Sequence, residues 1–131
     1  MGKDLSELAS YFKPQAELLL ERAATEGLDP IVEDTGRTLD EQAVKLLHKV
    51  SWTQHSRHLP QPPEMLSEAL DVVPRACLTL KYWGWNGTIA NSHPHWGKLI
   101  AIGEEIGMKS GVHFPTPDPG HFEYNHNIIK V

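Results

Sequence analysis

The stretch DPGHFEYN, residues 118–125, carries a turn signal followed directly by a strand signal, and it decides how the C-terminal part of the chain is built. Pro119 and Gly120 are typical of a tight turn, and the alternation in HFEY predicts a short β-strand. Such a turn would bring the carboxylate of Asp118 back toward the side chain of His121. Taken alone, the stretch favours an ordinary turn with a solvated aspartate, so evidence for a chemical role must come from other residues.

Length and composition indicate one domain that spans residues 1–131. The chain has 131 residues, of which 40% are hydrophobic and 22% are charged, and this suits a single core with a polar surface. The formal net charge of -5 speaks against a nucleic-acid partner, because duplex-binding proteins usually carry a basic excess. We therefore expect one domain that does not bind nucleic acid.

Neither a signal sequence nor a membrane segment is indicated. The N-terminal sequence MGKDLSELASYF alternates charged and apolar residues, and nothing later approaches a membrane-spanning run. We therefore expect a cytoplasmic protein without a membrane partner. The single cysteine, Cys77, cannot form an internal disulfide, and its apolar neighbours predict a buried thiol.

The spacing of apolar residues predicts helices first and strands later. A first helix is expected around residues 5–12, a second from Pro14 to near Gly27, and a third over residues 38–50, with a short strand and turn in DPIVEDTG, residues 29–36, before the third.

In the second half, ALDVV (69–73), CLTLKYW (77–83) and HFEY (121–124) are predicted strands, and HPHWGKLIAIGEEIG (93–107) is a predicted helix. The Pro-rich LPQPPEM, residues 59–65, is predicted to be a surface loop. This order of elements predicts an α+β fold.

The chain contains eight histidines, and their arrangement must separate metal ligands from ordinary surface residues. His48 falls near the end of a predicted helix, where the dipole favours an imidazolium, and His126 lies near a terminus, so both are interpreted as ordinary. His93 and His95 would point the same way on a strand, but Pro94 between them indicates a loop or a helix start instead. The roles of these two and of His55 stay open.

A stronger grouping is formed by His58, Asp71 and His121. A catalytic zinc site typically takes three nitrogen or oxygen ligands from the protein and leaves a position for water, and two histidines with one carboxylate meet that count. Asp71 lies inside the apolar run ALDVVP, where a carboxylate is costly unless a cation or metal pairs with it. Asp118, beside the turn, is placed to act as a general base on such a water.

Three motifs, in order, resemble those of one enzyme family. SRHL (56–59), SEALD (67–71) and DPGHFE (118–123) are similar to the S-x-H, G-x-A-x-D and D-x-x-H-F-E elements of zinc peptidases that include D-Ala-D-Ala carboxypeptidases and phage L-alanyl-D-glutamate endopeptidases. DTGRTLDEQ (34–42) is similar to the segment in which these enzymes carry an Arg and a Gln. The resemblance covers roughly residues 15–124.

The resemblance implies a fold, a metal and a set of site residues. The fold would be that of the hedgehog and D-Ala-D-Ala-peptidase group, with a small antiparallel sheet that carries the site and packs against helices. One Zn²⁺ per chain would be held by His58, Asp71 and His121. Asp118 would be the base and Arg37 would lie near the substrate carbonyl. The residues expected near the substrate or its loop are Ser56, Gln42 and His113.

Two features depart from the family pattern. The interval between His58 and Asp71 is longer than usual because of an insertion within LPQPPEML, residues 59–66. Prolines suit a solvent loop, so we expect residues 60–66 to bulge outward beside the cleft and to influence substrate choice more than zinc affinity. Ser67 stands where the family usually has Gly, and a serine is tolerable there only if the backbone does not need a positive φ.

The residue three before the last histidine distinguishes branches of the family. The carboxypeptidases usually have Glu there, whereas the phage endopeptidases have Asp, as at Asp118. The resemblance therefore favours a monomeric endolysin-type peptidase that cleaves the L-alanyl-D-glutamate bond of the peptidoglycan stem peptide and has no separate wall-binding domain. A D-Ala-D-Ala carboxypeptidase and a non-catalytic zinc-bearing domain that binds wall peptides are the alternatives.

Overall fold

The computed structural model describes residues 4–36, 57–61 and 66–126, and these residues form an α+β fold. The helices within these ranges are α1 (Lys13–Thr25) and α2 (Pro94–Ile106). The strands are β1 (Pro30–Asp34), β2 (Ala69–Pro74), β3 (Lys109–Ser110) and β4 (His121–Glu123). The predicted third helix, over residues 38–50, lies outside the described residues.

The four strands form one antiparallel sheet in the order β1-β2-β4-β3. In β2, Asp71 lies directly opposite His121 of β4, because the register pairs their Cα positions. Directly opposed residues of an antiparallel pair project their side chains from the same face of the sheet. The sheet therefore brings together two side chains that are far apart in sequence.

Both α-helices begin and end where their local sequence predicts. Proline occupies the first turn of each, where its missing N–H costs no hydrogen bond. Past the end of α1, Gly27 has a φ of 81°, and Gly107 closes α2 with a φ of 102°. Glycine adopts this left-handed conformation without strain, so it ends a helix cleanly.

The core lies between the helices and the sheet. Leu19 of α1, Trp96 and Leu99 of α2, and Leu70 and Phe122 of the sheet are fully buried and belong to one apolar cluster. Trp96 packs in this cluster, and its Nε1–H also donates to the carbonyl of Trp83 at 2.7 Å. Within the described residues, no helix combines the length and apolar character that a bilayer crossing requires.

Two predicted elements are wrong. CLTLKYW is not a strand, because the chain leaves the sheet at Pro74 and turns through short 3₁₀ segments at Arg75–Cys77 and Lys81–Gly84. Tyr82 and Trp83 have φ values of 53° and 55°, which no extended strand tolerates. The first predicted helix is only a 3₁₀ turn, Leu5–Glu7.

The surroundings of these segments explain the differences. After the 3₁₀ turn, the backbone of Glu7 and Ala9 bonds to Ser67 instead of continuing a helix. Tyr82 and Trp83 are 74% and 42% exposed, so they are not core residues. Cys77 is buried as predicted, and burial raises the pKa of its thiol.

Candidate metal centre

Three potential metal ligands meet at one end of the β2–β4 pair. Asp71 comes from β2, His121 from the first position of β4, and His58 from the segment that precedes β2. The backbone N–H of Glu68 donates to the carbonyl of Arg57 at 2.8 Å, and this bond ties the His58 segment to the start of β2. Among the described residues, these three side chains form the one group of three or more potential ligands.

The distances within this group suit a single small ion. Nε2 of His58 and Nδ1 of His121 each lie 3.2 Å from Oδ1 of Asp71, and one ligand atom from each residue lies within 4.8 Å of the others. Tetrahedral ligands about 2.0 to 2.1 Å from zinc are about 3.3 Å from one another. The two histidine–aspartate distances therefore match those of a tetrahedral zinc site.

The orientation of His58 is set by a backbone carbonyl. Its Nδ1–H donates to the carbonyl of Thr35, just after β1, at 2.8 Å. This bond fixes the tautomer and leaves Nε2 directed at Asp71. The hydroxyl of Ser67 donates to the same carbonyl at 2.8 Å. Ser67 does not have a positive φ, so serine is tolerated where the family usually has Gly.

The orientation of His121 is set by a carboxylate. Nε2 of His121 lies 2.8 Å from Oε1 of Glu123, and Nδ1 lies on the opposite side of the ring, toward Asp71. Both residues are buried. A ligating histidine commonly donates its other N–H to a carboxylate or carbonyl, and both histidines here have such a partner.

The charges in the group shift the pKa values of its members strongly. Burial by itself would raise the pKa of Asp71, but His58 and His121 hold that pKa well below its usual range. Burial would lower the pKa of His121, but hydrogen bonds to Asp71 and Glu123 outweigh it and raise that pKa to about 10. The pocket thus stabilises positive charge between its carboxylates, which is the electrostatic condition that a divalent cation requires.

Asp118 lies close enough to His121 to influence its charge. It is exposed, and its negative charge contributes to the raised pKa of His121. The turn is closed by two backbone bonds: Asp118 N–H donates to Gly111 at 2.9 Å, and His121 N–H donates to Asp118 at 3.2 Å. A Cβ on Gly111 would lie 2.6 Å from the carbonyl oxygen of Asp118, so only glycine permits this approach.

Several predicted site residues are not brought to the centre by the described structure. Arg37, Gln42 and Ser56 lie outside the described residues, so their predicted roles stay predictions. His55 also lies outside them, and its role stays open. His113 is exposed, and its Nε2 lies 2.9 Å from Oε1 of Glu104 on α2. The neighbouring Phe114, which had no predicted role, packs with its ring centre 5.3 Å from that of His121.

His93, His95 and His126 have local structural partners, and His48 lies outside the described residues. His93 accepts a bond from the N–H of His95 at 3.1 Å and thereby caps α2. Nε2 of His126 lies 2.8 Å from Oε1 of Glu68. Pro94 does start a helix, as expected, and this removes the strand geometry that would have aligned His93 with His95.

The two ends of the insertion between His58 and Asp71 contact each other. Gln61 and Leu66 form an antiparallel bridge, in which the Gln61 N–H donates to the carbonyl of Leu66 at 2.9 Å. Both residues are partly buried, so the expectation of an exposed loop over all of residues 60–66 is wrong at these two positions. Residues 62–65 lie outside the described ranges. The bridge explains how extra residues leave His58 and Asp71 in place.

Residues that support the ligands were missed in the sequence. Glu123 ends the DPGHFE motif and lies two residues after His121. Residues two apart on a strand share a face, so this spacing is the sequence signal that identifies Glu123 as a partner of His121. Thr35 acts through its backbone carbonyl, and no side-chain pattern identifies such a group. Arg57, Glu68 and Glu123 form a charged cluster beside the site.

Comparisons with known proteins give a likeness in structure. No protein-family model matches the chain, and no curated protein matches it in sequence. The chain is similar to the crystal structure of the L-Ala D-Glu endopeptidase ChiX of Serratia marcescens, with a TM-score of 0.65 and 16% sequence identity. The match covers 92% of this chain and 83% of that chain. The chain therefore has the fold of that endopeptidase, and the predicted fold class is confirmed.

Proposed function

We propose that this protein is a zinc-dependent peptidoglycan peptidase that hydrolyses the L-alanyl-D-glutamate bond of the stem peptide. The arrangement of His58, Asp71 and His121 is the observation that carries the proposal. It occurs in a fold shared with an L-Ala D-Glu endopeptidase, and the aspartate at position 118 is the residue expected of that branch. The structural likeness supports the peptidase class, and Asp118 supports the choice of bond.

The residues present fit a catalytic zinc ion. His58 would bind through Nε2, His121 through Nδ1 and Asp71 through Oδ1, because the other ring nitrogens face Thr35 and Glu123. Three protein ligands leave one coordination position for water or substrate. A zinc ion in such a site lowers the pKa of water to about 7 and polarises a carbonyl group.

The proton transfers are assigned to Asp118. Its exposed carboxylate would accept a proton from the attacking water and deliver it to the leaving amine of D-glutamate. A positioned general base of this kind contributes about 10² to 10⁴ in rate. Arg37 is proposed to stabilise the developing oxyanion by hydrogen bonds.

The biological setting that we propose is that of a monomeric endolysin. Such an enzyme stays in the host cytoplasm until the membrane is breached and then reaches the cell wall. The aspartate at position 118 supports this choice, since the phage branch of the family carries Asp there. Affinity for peptidoglycan is proposed to come from the catalytic cleft.

Mass analysis of digested peptidoglycan tests the proposed bond. Purified muropeptides are incubated with the zinc-loaded protein, with the protein after chelation, and with an Asp118→Ala variant. We expect fragments with a free amino group on D-glutamate, formed only by the zinc-loaded protein. Loss of a terminal D-Ala would indicate a carboxypeptidase instead. Retention of intact muropeptides on the protein without any cleavage would indicate a binding domain.

A further inference from the structure

We propose that Glu123 is a positioning residue that holds His121 in the orientation required for metal binding, and that Arg57 keeps Glu123 in place. This inference rests on the proposed zinc site and extends it to residues that contact no substrate. It is carried by the hydrogen bond between Glu123 and His121 and by the ion pair that reaches Glu123 from Arg57 in the His58 segment.

Glu123 and His121 lie on one face of β4. Oε1 of Glu123 is 2.8 Å from Nε2 of His121, and both residues are less than a tenth exposed. An imidazole ring that donates through Nε2–H must bind a metal through Nδ1. Glu123 therefore determines which nitrogen of His121 is directed at Asp71.

Arg57 connects Glu123 to the other side of the site. Its Nε lies 3.9 Å from Oε2 of Glu123, the oxygen that does not face His121. Arg57 directly precedes His58 in the chain, and its side chain pairs with Glu123, which contacts His121. Arg57 therefore links the two histidines. A displacement of Arg57 would thus change the positions of both histidines.

A second buried carboxylate, that of Glu68, also pairs with Arg57. Glu68 is 1% exposed, and its Oε1 lies 3.4 Å from Nη1 of Arg57. The hydroxyl of Tyr11 donates to Glu68, and His126 lies 2.8 Å from it. Buried carboxylates are costly unless they are paired, and Glu68 and Glu123 share Arg57 as a common cation.

The two carboxylates differ in one respect that allows a controlled test. Glu123 contacts a proposed ligand, whereas Glu68 contacts Tyr11, Arg57 and His126. Loss of a partner that orients a metal ligand typically lowers metal affinity by about 10- to 100-fold. Glu68→Gln keeps an oxygen that can still accept from Arg57, so it should affect stability more than the geometry of the site.

The experiment measures zinc affinity by competition with a chelator for the wild-type protein and for Glu123→Ala, Glu123→Gln and Glu68→Gln. We expect Glu123→Ala to bind zinc about 10- to 100-fold more weakly. Glu123→Gln, which keeps an acceptor oxygen, should recover part of that loss. Glu68→Gln should stay within about threefold of the wild type, since it removes no bond to a ligand and keeps an oxygen that can accept from Arg57. Circular dichroism verifies folding, and Glu123→Gln keeps the test decisive if Glu123→Ala fails to fold.

The absorption spectrum of bound Co²⁺ provides a readout that stability alone does not change. We expect its ligand-field bands to shift in both Glu123 variants and in Arg57→Gln, but not in Glu68→Gln. Wild-type affinity and spectrum in the Glu123 variants would overturn the positioning role, as would an equal loss of affinity in Glu68→Gln. If the wild-type protein itself takes up no zinc, the proposed function fails and this inference fails with it.

Discussion

Four side chains carry the proposed chemistry at the level of single residues, and they differ in exposure. His58 and His121 are 1% and 7% exposed, Asp71 is partly buried, and Asp118 is exposed. Ligands can be buried because a cation compensates their polar groups, whereas a base that exchanges protons with water must reach solvent. The exposures agree with three ligands and one base.

The two aspartates should respond differently to the same substitution. Asp71→Ala removes a ligand, so zinc affinity should fall, and thermal stability should fall with it because binding is linked to folding. Asp118→Ala should keep the zinc and much of the stability, while hydrolysis falls by about a hundredfold or more. Zinc content, melting temperature and muropeptide cleavage are measured side by side.

The control for this pair is Glu105→Ala. Glu105 is exposed on α2 and pairs with Arg22 of α1 at 2.6 Å, so its loss should leave zinc content and cleavage unchanged. The assignment is contradicted if Asp118→Ala loses its zinc or cleaves at a near-normal rate.

Elements with a long or regular pattern were predictable from the sequence. α1 and α2 have helical apolar spacing with Pro and Gly at their ends, and β2 and β4 are short apolar or alternating runs beside turns. CLTLKYW has the composition of a strand, but Tyr82 and Trp83 adopt a left-handed conformation that composition does not reveal. β3 was missed because two residues carry no pattern.

The candidate site was likewise predictable from the sequence only in part. The ligand residue types and their order were visible in the sequence, and the sheet register places Asp71 opposite His121. The carbonyl of Thr35 that orients His58 comes from a distant part of the chain and has no side-chain signature. Contacts of this kind depend on the tertiary fold, so local sequence cannot predict them.

The packing of α2 on the sheet gives a prediction about stability. A Cβ on Gly103 would lie 2.5 Å from Cε1 of the buried Phe122. Gly103→Ala should therefore lower the free energy of unfolding by about 1 to 3 kcal/mol, despite the better helix propensity of alanine. Denaturant unfolding measures the change.

Gly97→Ala in the same helix is the matched control. The added Cβ would meet only Cγ2 of Ile89, at 3.0 Å, and Ile89 is exposed and can move. Its stability should rise by about 0.5 to 1 kcal/mol. If Gly103→Ala were as stable as Gly97→Ala, the close packing of α2 against Phe122 would be wrong.

The insertion between His58 and Asp71 gives a prediction for a segment rather than a side chain. Because Gln61 and Leu66 form a bridge, residues 62–65 can be replaced by Asn-Gly, which favours a two-residue hairpin turn. Zinc affinity should change little, while the preference among muropeptides should change. Loss of zinc binding in a variant that stays folded would show that the insertion maintains the ligand geometry.

At the scale of the whole molecule, one sheet joins the core to the site. β2 and β4 bury Leu70 and Phe122 against the helices and carry Asp71 and His121. Two of the three candidate ligands are thus part of a rigid element, which holds the geometry of a site better than a loop does. Zinc, if bound, would in turn stabilise the fold by mass action.

Anomalous scattering at the zinc edge from crystals of the zinc-loaded protein tests the central claim most directly. The account predicts one strong peak per chain, about 2.0 to 2.2 Å from Nε2 of His58, Oδ1 of Asp71 and Nδ1 of His121. A peak bound by other residues, such as His93 and His95, or no peak in fully zinc-loaded crystals, would contradict it.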